Sequence, residues 1–350
     1  MNYPQIEINL KKVKENAMTL LEDCRRAGIE SIFLVSKVLA GDKRVVESLM
    51  DVGFSHLADS RIENLIAFSR YQIPKILLRL PMISEAEVVV NYTDISLNSE
   101  MSVIQALNQE AKVQNKIHNI ILMFDLGDLR EGIFYQDDYL DLVGEVLTLS
   151  HIKLFGIGTN LTCYGGIIPT KENLSELIKI KNRIEDAFSI KLNIISGGNS
   201  STLHLFPDIP EGINNLRIGE ALFLGRETAY GKILPGMHSD CFILKAELIE
   251  VKDKPSYPIG IIGMDSFGNI PEIEDCGLMR RGILAIGKQD IILDNLFPLD
   301  DSYTIIGGSS DHLLVNLKKE YKVGDHLSFG INYPGLLQLM TSPYVKKKYF

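Results

Sequence analysis

The chain of 350 residues has little of what marks several large protein classes. It has only four cysteines, Cys24, Cys163, Cys241 and Cys276, spaced 139, 78 and 35 residues apart. That spacing offers neither the close pairs of a zinc knuckle nor a redox motif, and it excludes a disulfide framework. The four thiols therefore read as buried small hydrophobes. An excess of basic charge is missing too. With 36 Lys and Arg against 45 Asp and Glu, the net charge is −9, and nothing can neutralise a phosphate lattice over a broad face, so no nucleic-acid partner is expected. The run Lys346–Lys348 reads as a solvated tail. No apolar run reaches the ~18 residues of a membrane span, so no membrane association is expected. The opening MNYPQIEINLKK lacks the charged-then-apolar layout of a signal peptide, which makes the cytoplasm the expected location. His312 has no partners at ligand spacing, and no metal site is expected.

What is present is a core. Hydrophobic residues make up 45% of the chain, enough for one large domain or two ordinary ones. Through about residue 225, short apolar runs alternate with segments of helical period. The runs are SIFLVSK (31–37), FSHLA (54–58), KILLRL (75–80), DISLN (94–98), HNIILMFD (118–125), IKLFGIG (152–158), IKLNIIS (190–196) and INNLRIG (213–219). Most are apolar on both faces, as strands between a core and a helix layer must be. Amphipathic stretches lie between them: 43–50, 61–71, 99–114, 137–149 and 170–188. Ser60, Asn98 or Ser99, and Thr170 stand where helix caps are expected. Eight strands alternating with helices predict a parallel (β/α)8 TIM-type barrel over residues 1–228. An open doubly wound sheet would want a Gly-rich first turn, and none follows residues 31–37.

Residues 229–350 change character. The segments 240–252, 257–263, 281–287, 302–308 and 326–331 are strand-like, turns of Asp, Asn, Gly and Pro separate them, and no long helix interrupts them. They predict a mainly antiparallel β-domain after the barrel. Residues 4–10 (PQIEINL) alternate apolar and polar, which suits pairing with that β-domain rather than with the barrel.

Barrel active sites form where the strands end, because the following loops converge there. Those ends carry Ser36 and Lys37, Asp125 and Arg130, Thr159 and Asn160, the turn SGGNSS with Asn199, Ser200 and Ser201, and Arg217 followed by Gly219. Lys37 is either a solvated strand-end lysine or a desolvated, imine-forming amine whose lowered pKa makes it nucleophilic. The Gly/Ser turn with Gly219 is either a tight loop or a phosphate cradle.

The segments VSKVLAG around Lys37, FDLGDLREG around Arg130, SGGNSSTL, LRIGEALFLG around Arg217, SSDH and INYPG resemble, in order and over nearly the whole chain, the alanine-racemase-type pyridoxal-phosphate enzymes. Within that family the chain is most similar to the ornithine racemase group. The resemblance implies pyridoxal 5'-phosphate as cofactor, held by Lys37 as a Schiff base. It implies that Arg130 faces the cofactor's phenolic oxygen and that Asn160 stands where alanine racemases have a histidine near the ring. Ser200, with Asn199 beside it, the backbone N–H groups of Gly219 and Glu220, and Tyr333 would contact the phosphate. Arg217 would face the pyridine nitrogen.

That position separates reactions. A carboxylate there keeps the nitrogen protonated, as in decarboxylases of this fold. A permanently charged guanidinium repels that proton and makes the ring a poorer electron sink, which favours prompt reprotonation, hence racemisation. The resemblance further implies a small-molecule amino-acid substrate and a head-to-tail homodimer in which the β-domain completes the partner's site. Inversion needs two acid–base groups, and Lys37 supplies one. The family's tyrosine for the other is absent from IGMDSFGN (262–269), which leaves Asp265 leading Cys276, Tyr164 and Ser266. Met123 occupies the place of a carbamylated lysine that orients the arginine in some alanine racemases, so Arg130 must be held otherwise, by Asp125 or Asp128. Asp311 suits the distal ammonium of a basic substrate such as ornithine or lysine. The rival expectations are a decarboxylase or aldolase of the same fold, opposed by Arg217 and by the missing metal cluster, and a non-catalytic cofactor carrier, opposed by the extra domain.

Overall fold

A computed structural model describes residues 3–265 and 267–350. Their contacts divide the chain into two units, Lys12–Ser239 and a second made of the N-terminal segment through Lys11 with Asp240–Phe350.

The first unit is the eight-stranded parallel barrel. Its strands are β2 (Ser31–Val35), β3 (His56–Asp59), β4 (Lys75–Leu77), β5 (Ile95–Asn98), β6 (His118–Asp125), β8 (Ile152–Thr159), β9 (Ile194–Ser196) and β10 (Asn215–Ile218). They pair in that order, and β10 returns to pair with β2, so no edge is left. A two-residue strand, β7 (Ile133–Phe134), pairs with the last two residues of β6, beyond the end of the β5 pairing. All eight runs predicted from the sequence carry a barrel strand, because burial on both faces selected the same continuous apolar residues. Phe33, Val35, Ala58, Ile76, Leu97, Ile121, Met123 and Ile194 fill the interior, so the barrel is a packed core with its chemistry at the rim.

The helices of this unit are α1 (Leu10–Arg26), α2 (Lys43–Glu47), α3 (Ile62–Ala67), α4 (Ala86–Tyr92), α5 (Met101–Val113), α6 (Leu140–Thr148), α7 (Lys171–Phe188) and α8 (Glu220–Leu224). Thr170 caps α7 as expected, in a reciprocal box with Asn173. Ser60, Asn98 and Ser99 do not serve as caps: Arg61 and Glu100 hold the cap positions without side-chain bonds. The Arg61 N–H goes instead to Asp59 Oδ1 at 3.0 Å, because Asp59, next to the inward-facing Ala58, turns its carboxylate to the helix side of β3, where it also accepts from Asn64 Nδ2 at 3.1 Å. This unit reaches past residue 228 to Ser239. There the buried Asn16 of α1 donates to Leu222 O and His238 O and accepts from His238 N, at 3.1, 2.8 and 2.7 Å.

In the second unit, β1 (Gln5–Ile8) pairs antiparallel with β11 (Phe242–Pro255) and parallel with β17 (Lys346–Tyr349). The lysines at 346–348 are thus strand residues rather than a free tail, their alternate side chains turned to solvent. The sheet continues through β16 (His326–Ile331) to β13 (Leu296–Pro298) on one side. On the other it runs through β12 (Leu278–Leu284) and β15 (Leu313–Leu317) to β14 (Tyr303–Gly308). Two expectations are corrected here. Residues 257–263 form no strand: Pro258 lacks a ladder donor, Gly260 has φ +134°, and Ile259 and Ile261 stand fully exposed. A nine-residue helix, α9 (Tyr333–Thr341), does interrupt the strands, started by the Asn332 side chain accepting from Gly335 N at 3.0 Å. Cys24 and Cys241 are buried, and burial pushes the Cys24 thiol up to about 12; Cys163 and Cys276 are exposed.

Candidate active site

The C-terminal ends of β2, β6, β8, β9 and β10 bring the site residues of this unit to one rim. Lys37 follows β2 and opens a single 3-10 turn, Lys37–Leu39, closed by Ala40 in the left-handed region. Beneath it, Ser36 is buried and its hydroxyl donates to Asp59 Oδ2 at 2.7 Å, which fixes the residue from which the lysine projects. The lysine side chain itself is exposed. Across the rim, burial raises the Glu220 carboxyl above the usual carboxylate range, while the Arg226 and Lys37 charges pull it back.

Arg217, on β10, is the central cation, with only 4% of its surface exposed. Its Nη1 donates to Ser196 Oγ at 2.5 Å, and Nη2 donates to Thr159 O at 2.7 Å and Asn160 Oδ1 at 3.4 Å. Among the described residues, no carboxylate lies within ion-pair distance of it. Burial lowers its pKa to about 10, with the Glu131 and Cys163 charges opposing the shift and Arg130 adding to it, so it stays a cation at neutral pH. Room for the guanidinium comes from Gly158 on β8, where a Cβ would stand 3.4 Å from Nη1 and 3.1 Å from the Ser196 Cβ.

The turn after β9 is built by its own side chains. Asn199 accepts from Ser201 N at 2.8 Å, starting a 3-10 segment Ser200–Leu205, and donates to Asn160 Oδ1 at 2.8 Å and Leu161 O at 3.0 Å. Asn160 and Asn199 thereby lock each other beside Arg217. Ser200 Oγ accepts from Ala221 N at 3.1 Å, which brings the turn against the first turn of α8. Gly219 precedes α8, and a Cβ there would crowd Val35 O at 3.1 Å and Val35 Cβ at 3.2 Å. Two hydroxyls in this region, Ser201 Oγ and Thr159 Oγ1, are buried without a hydrogen-bond partner. Buried hydroxyls are normally satisfied, so these two mark places where a polar ligand would fit.

Arg130 is held, though not by Asp125 or Asp128. Asp125 Oδ1 accepts from Gly127 N and Leu129 N at 2.8 and 3.1 Å, and shapes the loop. The fully buried Asp128 accepts from Cys163 N, Tyr164 N and Ile167 N at 3.2, 2.8 and 3.1 Å, clamping the loop after β8. Glu131 pairs with Arg130 through both carboxylate oxygens, one on Nε and one on Nη2. Glu131 lies inside the segment FDLGDLREG without a role of its own there, and Cys163, whose sulfur lies 3.2 Å from Asn160 Nδ2, is marked by no local motif. Only the neighbouring Arg130 and Asn160 point to them in the sequence.

In the other unit, Asp265 sits in a turn, its Oδ1 accepting from Phe267 N and Asn269 N, both at 2.9 Å. These backbone bonds hold its carboxyl below the ordinary range, and Lys288 Nζ stands 3.9 Å from Oδ2. Asp311 lies exposed in the β14–β15 turn and accepts from Ser310 Oγ at 3.0 Å. Tyr333 is the first residue of α9. Cys276 and Tyr164 are exposed, and Ser266 lies outside the described residues.

A closed barrel with a rim lysine and a buried arginine beside a Ser/Gly/Asn turn defines a class. The chain matches the family model "Alanine racemase, N-terminal domain" over residues 8–227, and it belongs to that family; it is an isomerase of the racemase class. It is 46% identical over 351 residues to the ornithine racemase of Acetoanaerobium sticklandii, covering 99% of each chain. It is 40% identical over 355 residues to the lysine racemase of Thermotoga maritima, covering 100% of this chain and 99% of that one. Among solved structures, the alanine racemase of Clostridium difficile 630 superposes with a TM-score of 0.75 at 18% identity, covering 100% of this chain and 96% of that one. That of Streptomyces lavendulae gives 0.79 at 15%, covering 100% and 97%. These likenesses share the fold.

Proposed function

We propose that this chain is a pyridoxal 5'-phosphate-dependent racemase of a basic amino acid, ornithine or lysine, working by a two-base mechanism. The observation that carries the proposal is Arg217, a buried cation that meets three neutral acceptors and no carboxylate. A guanidinium so placed suits an unprotonated pyridine nitrogen as a further acceptor, and it disfavours the protonated ring that a decarboxylase needs. The partnerless Ser201 hydroxyl and the tight glycine at 219 fit a phosphate cradle beside it.

When bound, the cofactor supplies a conjugated ring that stabilises negative charge at the substrate's Cα. Lys37 would hold it through Nζ, and the same amine would take up or return the Cα proton on one face. Arg217 would meet the ring nitrogen and Arg130 the phenolic oxygen. Asn160, steadied by Asn199, would line the ring edge. Ser200 Oγ and the backbone N–H groups of Gly219 and Glu220 would hold the phosphate, a role that the resemblance also gives the Tyr333 phenol. Asp265, kept ionised by two backbone N–H groups, is the candidate for the second face. Asp311 is the candidate for the substrate's distal ammonium. A head-to-tail homodimer, with each β-domain completing the other copy's site, accompanies this reading. Support for a basic substrate comes from the relatives named for ornithine and lysine.

The test is a panel of single enantiomers of ornithine, lysine, alanine and serine in deuterated solvent. Loss of optical activity with deuterium at Cα, and without carbon dioxide release, is expected for ornithine or lysine. Carbon dioxide release would favour the decarboxylase. An unchanged panel with bound cofactor would favour a carrier. Lys37→Ala should abolish both turnover and the visible cofactor absorption.

A further inference from the structure

The rim holds Arg217, whose charge the nearby Arg130 disfavours and the Glu131 carboxylate favours, and Glu131 pairs with Arg130 itself. Glu131 spends both oxygens on one edge of the Arg130 guanidinium, Nε and Nη2. Its Oε1 also accepts from Asn160 Nδ2 at 3.5 Å, and Asn160 in turn accepts from Arg217 and Asn199. The Glu131 side chain is only 19% exposed, against 39% for Arg130, so the carboxylate is the inner member of the pair. Met123, below them in the barrel core, is a buried thioether that cannot act as counter-ion to a guanidinium. Asp125 and Asp128 have their oxygens turned to backbone N–H groups.

We propose that Glu131 is the positioning residue of this site, a carboxylate that grips one edge of Arg130 and leaves the other edge, with Nη1, to present to an anionic ligand oxygen. A guanidinium has two such edges, and a bidentate carboxylate on one removes the rotational freedom that binding would otherwise have to remove from the other. The link through Asn160 ties Arg130 to the Arg217 cluster, so the two cations are held as one frame. Glu131 follows Arg130 directly in the chain, so the pair is local, although adjacency does not itself decide that the two side chains meet. This inference rests on the cofactor assignment above, in which Arg130 faces the phenolic oxygen, and the experiment separates the two.

Apoprotein is titrated with pyridoxal 5'-phosphate and binding is read from the visible absorption, for the wild type, Glu131→Gln, Glu131→Asp, Arg130→Lys and the double variant Arg130→Lys with Glu131→Gln. Loss of the positioning carboxylate should weaken binding about tenfold in Glu131→Gln. Glu131→Asp should recover part of the loss, and Glu131→Gln should add almost nothing once Arg130 is Lys. Equal weakening in both backgrounds, or wild-type affinity in Glu131→Gln, would overturn the positioning role while the cofactor assignment stands. A wild type that binds no cofactor would overturn both. If Glu131→Gln does not fold, judged by circular dichroism, Glu131→Asp is compared in the wild-type and Arg130→Lys backgrounds, with the same two outcomes.

Discussion

Arg217 Nη2 donates to the main-chain oxygen of Thr159 at 2.7 Å, so a buried guanidinium on β10 is pinned by the end of β8, across the intervening β9. The acceptor is backbone, so no side-chain substitution at Thr159 removes it. Its other partners, the Ser196 hydroxyl and the Asn160 amide, are neutral as well. A charge kept in this way, without a carboxylate, is costly for stability and is expected to be kept for function.

Arg217→Gln should therefore remain folded and lose racemisation by about 10²-fold, the scale of one buried electrostatic contact in a transition state. The measurement is turnover on the best substrate of the panel, with thermal unfolding run alongside. A variant that melts with the wild type yet turns over at an unchanged rate would remove Arg217 from the chemistry.

Asp128 stabilises a loop and has no expected role in proton transfer. Its carboxylate accepts three backbone N–H groups of the segment after β8, and hydrogen bonds to a charged group contribute about 1.5–3 kcal/mol each, with strong non-additivity. Asp128→Ala should lower unfolding free energy by about 3 kcal/mol, read from urea denaturation, with Asp128→Asn recovering part of it.

His118 gives the barrel a pH dependence. The imidazole is buried at the start of β6 with Nε2 2.9 Å from Ser96 Oγ, and burial, helped by the Lys116 charge, pushes its pKa down to about 4. The unfolded chain, near 6.5, then binds the proton more readily than the folded one, so stability rises with pH across that window. Acidification from 6.5 towards 4 should cost up to roughly 3 kcal/mol from this group. The His118→Gln variant should show a flatter profile between those limits in denaturation at stepped pH.

Asp311→Asn addresses specificity. If the carboxylate meets a distal ammonium, KM for ornithine or lysine should rise about tenfold or more while any turnover of alanine is spared. Equal effects on both substrate types would assign Asp311 to its turn alone.

Much of this architecture is legible along the chain. The eight barrel strands announce themselves because burial on both faces forces continuous apolar runs, and Thr170 announces α7 because a capping box is a local event. Other features are masked. The start of α1 follows directly on the alternating residues of β1, and the run Tyr257–Gly263 reads as a strand although no partner strand pairs with it. Strand formation is a pairing event, and pairing is not encoded in the run itself.

The candidate site divides in the same way. Residue types at strand ends pointed to Lys37, Arg130, Asn160, Ser200 and Arg217 because barrel loops converge at one end. Glu131 and Cys163 carried no such signal, and the expectation that Asp125 or Asp128 holds Arg130 failed because both carboxylates are taken up by backbone N–H groups.

The sequence by itself determined which segments are buried on both faces, and with them a barrel followed by a β-sheet, since hydrophobic period is a property of the chain read in order. Only the tertiary structure decided which polar groups meet. Glu131 rather than Asp128 pairs with Arg130, and Thr159 rather than a carboxylate receives Arg217. Hydrogen bonds tolerate only a few tenths of an ångström in donor–acceptor distance, and for neighbours such as Arg130 and Glu131 as for residues far apart in sequence that geometry exists only once the strands have closed.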